Sequence, residues 1–161
     1  MVLRQAELSD VVALVDVQEA GAVLALAHVF PQDEYPFPRM DIRARWTAEI
    51  GDPGVDAYVI VDASDRVVGF AALRGDELLH FGTAVPTWGT GLAAVAHDEL
   101  MARLAARGVT RARLRVFEEN HRACRFYEKL GWRRTGKRTR TSFAPHPVLV
   151  EYQNDHIGRT V

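Results

Sequence analysis

Apolar residues near the start of the chain recur with a roughly helical spacing: Val11, Val12, Leu14, Val15, Val23, Leu24 and Ala27. That rhythm predicts a helix with Ser9 as its N-cap and Asp10 complementing the helix dipole. The helix is expected to end near His28 to Phe30. The next stretch, Pro31-Gln32-Asp33-Glu34-Tyr35-Pro36-Phe37-Pro38, is too proline-rich for a helix or central strand and must be a loop. Val2 to Ala6 alternates weakly and predicts a short strand. Ile42, Trp46 and Ile50 mark one face of a second helix, Asp41 to Ile50, halted at Gly51-Asp52-Pro53-Gly54.

The period then shortens. Ala57 to Asp62 and Val67 to Leu73 read as strands around the turn Ser64-Asp65, and Glu77 to Val85 as a third. Their short connections predict an antiparallel meander. Beyond Thr90, Leu92, Val95, Ala96, Met101 and Leu104 fit a helix closed by Gly108. Arg111 to Phe117 alternates as a strand, and Asn120 to Leu130 is a short helix stopped by Gly131. Trp132 to Phe143 and Val148 to Gln153 complete the strands. No repeat, linker or low-complexity segment interrupts the series, so a single domain over 1–161 is expected.

Composition narrows the class. With 161 residues, 48% hydrophobic and 25% charged, the chain matches an ordinary globular domain. A net charge of -1 gives no electrostatic reason to expect nucleic acid or an anionic membrane as partner. Asp16, Gln18 and Glu19 interrupt the most apolar stretch, Val11 to Phe30, which therefore reads as a helix of a soluble protein. Cys124 is the single cysteine, which excludes an intrachain disulfide and a thiolate metal cluster. No signal pattern opens the chain, so a cytoplasmic location is expected, and no metal. The basic residues are nearly all arginine, which with abundant Ala and Val points to a GC-rich bacterial source.

Candidate chemistry begins at Val85-Pro86-Thr87-Trp88-Gly89-Thr90-Gly91-Leu92-Ala93. A strand leads in, two glycines turn the chain, and a helix leads out. Glycines let backbone N–H groups face a ligand, and the helix N-terminus adds partial positive charge, an arrangement suited to a pyrophosphate. Gly89-Thr90-Gly91-Leu92-Ala93-Ala94 also satisfies the dinucleotide fingerprint, with Glu118 as the ribose-binding acid. Context opposes that reading: several strands precede the turn, and too little chain follows for a doubly wound sheet.

Farther on stands Asn120-His121-Arg122-Ala123-Cys124-Arg125-Phe126-Tyr127-Glu128-Lys129-Leu130-Gly131-Trp132. The two segments together resemble the GNAT (GCN5-related N-acetyltransferase) superfamily, whose acyl-CoA turn runs Q/R-x-x-G-x-G/A. Its later signature has an Asn, then Ala, Phe-Tyr and Leu-Gly-aromatic. One departure is visible: Trp88 stands where the family usually has Gln or Arg. The resemblance implies an α+β fold, a mixed, mostly antiparallel, twisted sheet of about seven strands with about four helices. That sheet splays between its fourth and fifth strands.

The resemblance further implies acetyl-CoA as cosubstrate, with its pantetheine in the splay served by the backbone of Thr83 and Val85. The pyrophosphate would meet N–H groups of Trp88, Gly89, Thr90, Gly91, Leu92 and Ala93, with Asn120 near the pantetheine. It implies direct transfer of acetyl to a primary amine. Tyr127 would protonate the departing thiolate and Glu77 would act as general base, although each also has an ordinary packing or surface role. His80, three residues beyond Glu77, is expected on the opposite face of its strand. Cys124 is expected to pack. Arg122 and Arg125 are expected to be solvated or to reach the 3′-phosphate, and Arg133, Arg134, Lys137, Arg138 and Arg140 to form a solvated face.

The loop between the first two helices commonly borders the acceptor pocket in this family. Here it offers Phe30, Asp33, Glu34, Tyr35 and Phe37, acids beside aromatics that suit a cationic amine. A small-molecule amine is the expected acceptor. A protein lysine or N-terminus, or a non-catalytic acyl-CoA-binding sensor, are the alternatives. Oligomeric state is left open, with a homodimer among the options.

Overall fold

The computed structural model describes residues 1–159. Its strands are β1 (Leu3–Gln5), β2 (Asp56–Val61), β3 (Val67–Arg74), β4 (Glu77–Thr83), β5 (Ala112–Phe117), β6 (Arg133–Arg140) and β7 (Val148–Asn154). The helices are α1 (Val11–Ala25), α2 (Arg39–Ile50), α3 (Leu92–Ala106) and α4 (His121–Lys129). All seven strands form one sheet in the order β1-β2-β3-β4-β5-β7-β6. Every pairing is antiparallel except β4 with β5. The meander β2-β3-β4 is as the sequence predicts.

Central strands are buried on both faces, because helices cover both sides of the sheet. Tyr58 and Ile60 of β2 pack with Ala96, Leu100 and Leu104 of α3 and with Cys124 and Tyr127 of α4. Their neighbours Ala57 and Val59 pack on the other face with Leu14 and Val15 of α1 and Ile42 and Trp46 of α2. Each fully buried Leu here contributes about 1.5–3 kcal/mol by leaving water. Such two-sided burial explains why these strands read as apolar runs.

Several boundaries differ from the sequence reading. Ser9 is exposed and does not cap α1. A short 3-10 turn, Leu8–Asp10, precedes the helix, and the Asp10 carboxylate accepts the Glu7 N–H at 2.8 Å while pairing with Arg4 at 3.0 Å. Helix α1 stops at Ala25, short of His28, because the following turn buries Leu26 and Val29. Phe30 then meets Phe117 edge-on at 5.5 Å. Strand β4 ends at Thr83, and Val85–Thr87 is a 3-10 turn. Strand β6 ends at Arg140, leaving 141–147 as a loop.

One irregularity positions the site. In the β3–β4 ladder, Ala72 faces His80 but Leu73 faces Leu78, so Leu79 is an extra residue in a β-bulge. The bulge resets the alternation. Leu78 and Phe81 face the α3/α4 core, whereas Leu79 joins the α1/α2 side. The expected separation of Glu77 and His80 is therefore overturned, and both face one cavity.

Candidate active site

Of the six N–H groups expected to meet a ligand, those of Trp88 and Thr90 donate to the Val85 and Thr87 carbonyls at 3.1 and 3.2 Å, and that of Leu92 reaches the Thr90 hydroxyl at 3.4 Å. Gly89 and Gly91 have φ of +80° and +89°, the left-handed region where a Cβ is strained. Among the described residues, the N–H groups of Gly89, Gly91, Ala93 and Ala94 meet no protein acceptor. They surround the N-terminus of the fifteen-residue helix α3, whose first turn has unpaired N–H groups and a partial positive charge. That donor set fits a pyrophosphate.

Beside the turn the sheet opens. Strands β4 and β5 pair only through Glu77 with Arg113 and Leu78 with Leu114, so Leu79 to Thr83 has no partner on β5. The Thr83 carbonyl accepts the Trp88 indole N–H at 3.0 Å, which leaves one of its lone pairs for a further donor. Val85 lies outside the strand, its carbonyl accepting the Trp88 backbone N–H at 3.1 Å. Trp88 supplies no polar group outward. Its ring lies between Gly21 of α1 and the Arg122 guanidinium, 3.8 Å from its centroid. Asn120 caps α4, its Oδ1 accepting the Ala123 N–H at 3.2 Å.

Tyr127 is buried in the α3/α4 core, packed edge-on against Phe126 and Trp132. Burial, aided by Cys124, pushes its phenol well above the usual range, so the hydroxyl keeps its proton. Among the described residues that hydroxyl has no hydrogen-bond partner, although the adjacent Tyr152 hydroxyl donates to Glu128. Cys124 is buried, its thiol 3.8 Å from the Phe117 carbonyl, as expected of a packing residue.

On the opposite side of the sheet lies a cavity of about 720 Å³. The loop after α1 contributes Phe30, Glu34, Tyr35 and Phe37 to its wall, while Asp33 lies outside it. Glu77 is buried to 7% exposure and is ion-paired with Arg113 at 3.7 Å and Arg115 at 3.4 Å, quite unlike an exposed turn acid. The second titratable pair here is Glu49 with His80. His80 Nε2 lies 2.8 Å from Glu49 Oε2, and the ring rests 4.9 Å from Trp46.

Sequence reasoning passed over Glu49 and set His80 on the wrong face. The pair spans 31 residues, so no local motif joins them. A carboxylate accepting at Nε2 holds the neutral ring's proton there and keeps a lone pair on Nδ1. Such a ring can take a proton from an amine. Glu118, the acid a dinucleotide site would use, is instead held by Arg134 and Arg138.

A sheet opened between two parallel strands, beside a glycine turn and above a cavity with proton-accepting groups, is the architecture of an acyltransferase. The chain belongs to the acetyltransferase (GNAT) family, whose model matches residues 20–132. An uncharacterized N-acetyltransferase of Mycobacterium tuberculosis is 34% identical over 119 residues, covering 71% of this chain and 72% of that protein. A GCN5-related N-acetyltransferase from Rhodopseudomonas palustris shares the fold with a TM-score of 0.78 at 17% identity, covering 95% and 94% of the two chains. A spermidine N-acetyltransferase from Vibrio cholerae, solved with CoA and spermine, superposes with a TM-score of 0.69 at 17% identity, covering 94% and 92%.

Proposed function

We propose that this enzyme transfers acetyl directly from acetyl-CoA to the primary amine of a small molecule. The observation that carries the reading is the opened β4–β5 edge, which runs from the free N–H groups of the turn to the cavity holding Glu77, His80 and Glu49. Residues Trp88 to Ala93, Thr83, Val85 and Asn120 would hold the CoA moiety. Its thioester supplies the acyl carbon that the amine nitrogen attacks.

An alkyl ammonium titrates near ~10, so a base must take a proton before or during attack. The two oxygens of Glu77 are engaged by two guanidiniums, whereas His80 Nδ1 has no hydrogen-bond partner among the described residues. His80 is therefore the base, held in register by Glu49, and Glu77 anchors Arg113 and the cavity-lining Arg115. The C–S bond breaks as the C–N bond forms. Tyr127 donates its proton to the departing sulfur while the nitrogen passes its surplus proton to His80. Exchange with solvent then returns a proton to Tyr127 and clears His80, leaving an amide, a free thiol and one proton released per ammonium consumed.

Calorimetric titration with acetyl-CoA, using NADH as control, tests the cofactor, and thiol release across an amine panel tests turnover. Micromolar acetyl-CoA affinity together with thiol release supports the enzyme. Binding without release from any amine would favour a sensor, and absence of binding would overturn the assignment. Under the proposed division of labour, His80→Gln lowers kcat by about 10²–10⁴-fold, whereas Glu77→Gln lowers it less.

A further inference from the structure

The charged residues around the acceptor cavity do not balance, and the imbalance bears on what the cavity holds. Four arginines (Arg45, Arg74, Arg115 and Arg140) face it against three glutamates, Glu34, Glu49 and Glu77. Most of these charges are already answered. Glu77 is met by Arg115 and Arg113 and Arg74 by Asp52 at 3.4 Å, while Glu49 is held by a hydrogen bond to the His80 ring.

Arg45 and Arg140 are held differently. The Arg45 guanidinium lies over the Phe143 ring, 5.0 Å from its centroid. The Arg140 guanidinium donates to the His146 carbonyl at 3.0 Å. A ring and a carbonyl orient a guanidinium without cancelling its charge. Neither arginine has a carboxylate within 4.0 Å among the described residues. Both belong to the wall made by α2 and the 140–144 segment, where Ser142 also faces the cavity. His80 and Glu49 belong to the wall made by β4 and the end of α2.

From this arrangement we infer that the acceptor is a primary amine that also carries an acidic group, with Arg45 and Arg140 gripping the anion while the amine faces His80. A guanidinium presents paired N–H donors that match a carboxylate or a phosphate. A polyamine would need several free carboxylates. Of the lining acids, Glu77 is ion-paired and Glu49 is engaged by His80. Only the Glu34 side chain has no hydrogen-bond or ion-pair partner among the described residues, and it is exposed, as Arg45 and Arg140 are. The inference rests on the transferase reading above and narrows it to a substrate class.

The test compares L-amino acids with their carboxamides, phosphoethanolamine and spermidine as acceptors at saturating acetyl-CoA. At least one acid should exceed its own amide by about tenfold or more in kcat/KM. The difference should lie mainly in KM, since the anion grip is remote from bond making. Arg45→Gln and Arg140→Gln should each bring the acid-to-amide ratio close to one. Phosphoethanolamine separates a phosphate site from a carboxylate site by which anion is preferred. A preference for spermidine or for the amides, or a ratio unmoved by both substitutions, overturns the inference while leaving the transferase standing.

A second measurement needs no turnover. N-acetyl-L-amino acids should bind the CoA-saturated protein at least about tenfold more tightly than N-acetyl amides, and Arg45→Gln should abolish the difference. Equal affinity, or no binding of the acids, also overturns the inference. Failure of acetyl-CoA itself to bind is the separate result that removes the transferase.

Discussion

His97 joins the helix that opens at the glycine turn to the helix that carries Tyr127, and it does so as a neutral ring. It is 3% exposed in α3, and its Nε2 accepts the Trp132 indole N–H at 3.0 Å. Phe126 meets it edge-on at 6.0 Å. The accepting Nε2 puts the proton on Nδ1, which has no hydrogen-bond partner among the described residues. A proton on Nε2 would oppose two donors. Burial accordingly holds His97 below the usual histidine range, opposed by the nearby Asp98 carboxylate, 3.7 Å away and largely in water.

The consequence for stability has a definite sign. In the unfolded chain histidine titrates near ~6.5, so below that pH the unfolded state takes up a proton that the folded state refuses. Stability is full above the unfolded value and falls as pH drops through it. While the ring stays neutral, the loss between pH ~7.5 and ~5.5 is about 1.4 kcal/mol. The substitution His97→Gln keeps an acceptor for Trp132 but cannot titrate. Urea unfolding followed by circular dichroism across that pH range should show the wild type weakening relative to the variant by about that amount. Every other group is common to the two proteins and cancels in the comparison. Parallel pH profiles for the two proteins would refute the neutral, buried assignment.

Gly91→Val forces a β-branched residue to a φ of +89°, which should weaken acetyl-CoA binding by about tenfold or more, measured by calorimetry, at a stability cost of about 1–2 kcal/mol. Tyr127→Phe should lower kcat by about 10²-fold or more, since it removes the hydroxyl proposed to protonate the departing sulfur. Its unfolding midpoint in urea should stay close to the wild type, because the hydroxyl has no protein partner among the described residues. Leu100→Ala empties a fully buried site in the α3 core and should cost about 2–5 kcal/mol by urea denaturation.

The local physics of the chain made most of its architecture legible. Periodicity located the buried elements, because two-sided burial writes continuous apolar runs into β2 and β3 and one-sided burial writes stripes into α2 and α3; the exposed β6, Arg133–Arg140, carries no such pattern. Gly89 and Gly91 were readable as turn glycines and Gly108 and Gly131 as helix stops, and all four have positive φ. Asn120 caps α4 through a contact only three residues away, the kind of local arrangement that a sequence carries whole. The motifs that carry the family are contiguous, so a sequence contains them whole.

What tertiary structure alone decided depends on distance along the chain and on single-residue changes of register. A bulge at Leu79 turns Glu77 and His80 toward one cavity, and no composition signal marks which residue of β4 is the extra one. The pairing of His80 with Glu49 and the platform of Trp88 beneath Arg122 each bring together residues from separate elements. So does the seating of Arg45 over Phe143. Such contacts arise when helices dock on the sheet, so their geometry is set by packing rather than by neighbouring residues. For the same reason, the glycine turn lies whole in the sequence, while the gathering of Arg45, Arg140, His80 and Glu49 around one cavity exists only in the folded chain.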